Sequence, residues 1–70
     1  MTRDEWIAEF AAKLGTEAPS AQEIDQLLEL AAVAAHASER TAAPVASLLA
    51  GRTGRPLGEL IELAKSVEQP

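Results

Sequence analysis

Two short segments, Thr2-Arg3-Asp4-Glu5 and Ser20-Ala21-Gln22-Glu23, share one pattern: a hydroxyl residue followed three places later by glutamate. In such a capping box the hydroxyl accepts from the backbone N–H three residues on, and the glutamate accepts from the N–H of the first residue. The device satisfies donors that only the start of an α-helix leaves free. Behind each box, apolar residues recur at three- and four-residue spacing, the period of an amphipathic helix. The chain therefore commits itself to helix twice in its first 23 residues. The remainder is rich in Ala, Leu and Glu and poor in aromatics, a composition that favours helix over strand.

The spacing predicts four helices. Helix 1 covers residues 3 to 14, with Trp6, Ile7, Phe10, Ala11 and Leu14 on one stripe and Gly15 as its left-handed stop. Helix 2 runs from 21 to about 39, with Ile24, Leu27, Leu28, Ala31, Ala34 and Ala35 as its buried stripe and Leu30 and Val33 on a second, partly apolar face. Thr41 is the expected N-cap of helix 3, residues 42 to 50, where Pro44 is tolerated in the first turn. This stretch carries no charge and Gly51 is expected to end it. An uncharged helix is normally surrounded by other elements, so helix 3 is expected at the centre. Pro56 opens helix 4, whose stripe is Leu57, Leu60, Ile61, Ala64 and Val67. The expected architecture is an all-α compact bundle of about four short helices in one domain, residues 1 to 70, with Trp6, Phe10 and the leucines filling most of the core.

Size and charge narrow the function. A chain of 70 residues buries only about 60% of the surface its unfolded form exposes. With no cysteine, neither a disulfide framework nor a Cys-based zinc site can reinforce it. Acids outnumber bases eleven to six, for a net charge of −5, which repels a phosphate backbone and argues against nucleic acid. The first residues carry two acids and no apolar run follows, unlike a secretory signal. No stretch approaches the roughly 18 apolar residues that span a bilayer. The expected setting is cytoplasmic, with no membrane association.

Few residues offer chemistry. His36 is the single histidine. On a helical wheel it falls near Glu29, Val33 and Arg40, off the main apolar stripe. Three readings stand open. His36 and Arg40 form a polar recognition face for a protein partner, or they are basic residues finishing a helix and bonding its last carbonyls, or His36 is buried and hydrogen-bonds the turn around residue 41. Metal binding lacks ligands, since a zinc site takes three or four and no second His or Cys exists. Ser20, Ser38, Ser47 and Ser66 sit in no nucleophile turn of the Gly-x-Ser-x-Gly kind. Catalysis is therefore not expected, and no cofactor is implied. Ser47-Leu48 resembles part of the attachment motif of acyl carrier proteins, but Ala46 replaces the Asp that motif requires. The segment Gly51-Arg52-Thr53-Gly54-Arg55-Pro56 is a second candidate. Arg52, Gly54 and Arg55 before a helix N-terminus could hold a phosphate or carboxylate. An ordinary solvated turn is the alternative.

The stretch Ala35-His36-x-x-x-Arg40-x-Ala42-Ala43-Pro44 with a downstream Leu49-Ala50-Gly51 carries a resemblance. Together with Glu5-Trp6-Ile7 and the Gly51-x-x-Gly54-x-Pro56 spacing, it resembles an uncharacterised family of small helical domains from high-GC Gram-positive bacteria. Members of that family occur alone or joined to the C-terminus of a nucleotidyltransferase similar to molybdenum-cofactor guanylyltransferase. The resemblance implies an accessory domain of molybdenum-cofactor maturation. His36, Arg40, Ala43, Pro44 and Gly51 match the motif, while Arg55 stands where a capping Ser or Asp is more usual. Three functions follow as expectations: a non-catalytic module docking on that nucleotidyltransferase, a binder of a phosphorylated nucleotide or pterin through Arg52 and Arg55, or a structural homodimer built on Leu30 and Val33.

Overall fold

A computed structural model describes residues 1 to 67. Four α-helices follow one another: α1 (Arg3–Leu14), α2 (Ala21–Ala37), α3 (Ala42–Thr53) and α4 (Leu57–Lys65). No strand occurs among the described residues, and the chain is the all-α bundle of four short helices that its periodicity predicts.

Both capping boxes form. The Glu5 N–H donates to Thr2 Oγ1 at 3.1 Å and the Thr2 N–H to Glu5 Oε1 at 3.2 Å. At α2 the matching distances are 3.1 Å from Glu23 N to Ser20 Oγ and 2.9 Å from Ser20 N to Glu23 Oε1. The end of α1 is equally local. Gly15 adopts φ +75°; its N–H donates to Ala12 O at 3.1 Å, and that of Thr16 to Ala11 O at 3.0 Å. These two bonds are a Schellman motif, which needs a left-handed residue best supplied by glycine.

Other helix ends differ from expectation. α2 stops at Ala37 rather than near 39, because Ser38 leaves helical geometry at φ −135°, ψ −88°. Its hydroxyl donates back to Ala34 O at 3.2 Å. α3 runs through Gly51 and ends at Thr53, so Arg52 and Thr53 belong to helix rather than loop. Gly54, at φ +67°, is the residue that turns the chain. Thr53 closes this end by donating from Oγ1 to Ala50 O at 3.0 Å while accepting the Arg55 N–H at 3.1 Å. Thr41 occupies the N-cap position of α3 without a side-chain bond. Instead the backbone N–H groups of Ala42 and Ala43 donate to the carbonyls of Glu39 and Arg40. Pro56 is the N-cap of α4 rather than its first helical residue, and α4 ends at Lys65, short of 67.

The tertiary arrangement corrects the expected centre. α2 packs against both α3 and α4, and it is the helix that links the bundle. The core is Leu30, Ala50 and Ile61, one residue from each of these helices, with Leu27, Leu57, Leu60 and Ala64 packed around them. Leu30, assigned by spacing to a secondary face, is the most buried of the described core residues, and Leu28, assigned to the core, is half exposed. α2 carries two adjoining apolar arcs. The arc through Leu27, Leu30 and Ala34 is the one its neighbours cover. α3, though uncharged over most of its length, is covered on one side only. It turns Ala50 inward and leaves Val45, Leu48 and Leu49 exposed.

α1 departs furthest from expectation. Its aromatic residues do not enter the core. Trp6 and Phe10 stack on each other, with ring centroids 5.1 Å apart and planes 33° apart, and both stay about half exposed. Ala11 is buried but lies outside the core cluster, at the position that the Schellman motif covers. The molecule measures 40 × 24 × 18 Å with a radius of gyration of 13.0 Å. A compact chain of this length has a radius of gyration of about 11 Å. The accessible surface is 5439 Å², against about 4,200 Å² for a folded monomer of this mass.

Candidate functional site

His36 is exposed and sits in the last turn of α2. It borders a shallow depression of 310 Å³ formed with Val33, Ala37, Ala64, Lys65 and Val67 where α2 meets α4. Lys65 faces Glu29 across that seam, Nζ to Oε1 3.9 Å. Both side chains are about half exposed, and such surface pairs contribute little to stability. His36 and Lys65 thus line the same depression. Arg40 is exposed in the turn that follows α2. His36, Arg40 and Lys65 are thus exposed toward this end of α2 on a chain of net charge −5.

The second candidate spans the end of α3 and the turn that leads into α4. Arg52 lies in the last turn of α3, where a cation suits the helix dipole. Gly54 is the left-handed turn residue. Arg55, which the dipole of α4 disfavours, is paired with Glu59 one turn into that helix. The guanidinium therefore already has an anionic partner within the chain, and the apparent conflict in the sequence is resolved locally.

The serines are all engaged by their own helices. Ser20 caps α2. Ser38, Ser47 and Ser66 donate to the carbonyls of Ala34, Ala43 and Leu63. Among the described residues no group of three or more His, Asp or Glu side chains is placed to hold a metal ion, and no helix is long and apolar enough to cross a membrane.

A larger feature was legible in the sequence only through Leu30 and Val33, two of its lining residues. An open groove of 670 Å³ runs between α3 and the other two helices of the core. Its floor includes Leu30, Ala34 and Ala50, and its walls include Val45, Leu49 and Leu63. The groove follows α3 from Ala42 to Thr53, the whole length of that helix. Its lining is mainly apolar, with Ser38, Glu39, Thr41 and Thr53 as the polar members. The absence of charge in α3 was the signal for it. The same feature would equally mark a helix enclosed on all sides, and only the tertiary arrangement separates the two cases.

No curated protein and no solved structure shows a significant match to the chain. A family, by contrast, matches it almost from end to end. The chain belongs to the family described as Domain of unknown function (DUF6457), which it matches over residues 1–68.

Proposed function

We propose that the domain is a non-catalytic interaction module that presents its His36/Arg40 side to an acidic surface on a protein partner. The observation that carries this reading is the exposure of both residues, with Lys65 lining the same depression as His36, on a chain of net charge −5. Charge concentrated against the average of a surface steers association and fixes register more than it supplies affinity. An Arg side chain is also well suited to bidentate capture of a carboxylate. The resemblance in the His36-to-Gly51 stretch supports a particular partner, the nucleotidyltransferase of molybdenum-cofactor maturation found joined to similar domains in high-GC Gram-positive bacteria. On that reading the domain acts in the cytoplasm and contributes position or regulation rather than chemistry.

The test is a calorimetric titration of the 70-residue chain against that enzyme from the same organism. The double variant His36→Ala/Arg40→Ala is expected to weaken binding at least about tenfold. Raising the salt concentration is expected to weaken the unmodified complex further, because exposed charge pairs are screened. Unchanged binding by the double variant removes this face from the proposal.

A further inference from the structure

Among the described residues, two apolar surfaces are unpartnered. One is the groove along α3. The other is the stripe of α1, where Trp6, Phe10 and Leu14 follow each other at four-residue spacing and are 56%, 48% and 62% exposed. The two match in length. α1 and α3 are each 12 residues long, about 18 Å at the rise of an α-helix. They match in kind as well. A helix with three large apolar anchors on one side is the form of ligand that an apolar groove between helices accepts. Tryptophan and aromatic anchors are also the residues that dominate such interfaces.

We infer that the groove receives α1 of a second copy of this chain, and that two copies exchange their first helices reciprocally. The area argues for a second copy. The chain exposes roughly 1,200 Å² more than a folded monomer of its mass, and a standard interface removes about 800 Å² from each partner. The excess is therefore of the size that a stable dimer removes from each partner. The chain's own α1 does not pack against α3 or α4. The Schellman motif at Gly15 and Thr16 fixes the direction in which the chain leaves α1, and Pro19 restricts the short connection to α2. With α1 kept off its own core, exchange between two copies satisfies both surfaces and closes under twofold symmetry. The exchange is independent of the His36/Arg40 reading. It concerns the chain alone, whereas that reading concerns a mixture with another protein.

The experiment is light scattering of the full chain over a concentration series, read together with tryptophan emission. Trp6 is the single tryptophan, so its emission reports the environment of α1 directly. The expected result is a species of twice 7.4 kDa with blue-shifted emission, dissociating on dilution to a monomer with solvent-exposed emission. Phe10→Glu in α1 and Leu49→Glu in the groove wall each place a charge in the interface. Each is expected to weaken association by roughly thirtyfold or more. Both positions are about half exposed in the single chain, and circular dichroism confirms that the variants keep their helices. A monomer at every concentration overturns the inference, including one with buried Trp6, which would mean that α1 folds onto its own groove. A dimer that survives either substitution also overturns it, since its interface then lies elsewhere.

Discussion

Leu30 and Leu28 stand two residues apart on α2 and have opposite fates. Leu30 is 4% exposed and meets Ala50 and Ile61 from the other two core helices, whereas Leu28 is 50% exposed. Leu30→Ala is expected to destabilise the chain by about 2–5 kcal/mol, the cost of lost burial plus a cavity. Leu28→Ala should change stability by about 1 kcal/mol or less. Urea unfolding followed by circular dichroism checks the pair, and equal losses would place the core on the wrong arc. Spacing alone favoured the reverse order, and the reason is physical. Residues 24 to 37 are apolar on two adjoining arcs, so helical periodicity is satisfied by either one. The choice belongs to the surfaces that α3 and α4 present, and these are remote in sequence. Exposure of His36 was undecided in the sequence for the same cause. Its wheel position was legible, but Lys65, which lines the same depression, comes from another helix.

At the scale of the element, what local bonds determine was legible and what partners determine was not. Both capping boxes and the Gly15 stop are closed by residues within five positions of one another, and the bounds of α1 follow from them. The end of α3 illustrates the opposite case. Two glycines, Gly51 and Gly54, compete as stops, and either could adopt a left-handed conformation. Thr53 decides between them, because its hydroxyl bonds both Ala50 O and Arg55 N across the turn. The consequence is a pair of opposite effects. Gly54→Ala must place a Cβ at φ +67°, which costs about 1–2 kcal/mol. Gly51→Ala meets nothing within 4 Å in a helical position and should stabilise by about 0.5–1 kcal/mol. Thermal melts of the two variants test this at once. If Gly51→Ala lowers the midpoint, the helix does not continue through that residue. The same extension of α3 moves Arg52 into helix, while Arg55 in the following turn is paired with Glu59.

For the whole molecule, the fold class was readable and the distribution of mass was not. Trp6 and Phe10 are the residues that a small chain is expected to bury first, yet they stack on each other outside the core. The 40 Å long axis that results has a consequence for size in solution. A radius of gyration of 13.0 Å is that of a compact protein of about 100 residues. Two chains that fold their first helices into each other would form a compact body of about 14 Å. Dimerisation should therefore double the forward scattering of X-rays while leaving the radius of gyration nearly where it was. The chain gains mass by filling its own outline, and its diffusion should slow far less than a doubling of weight implies.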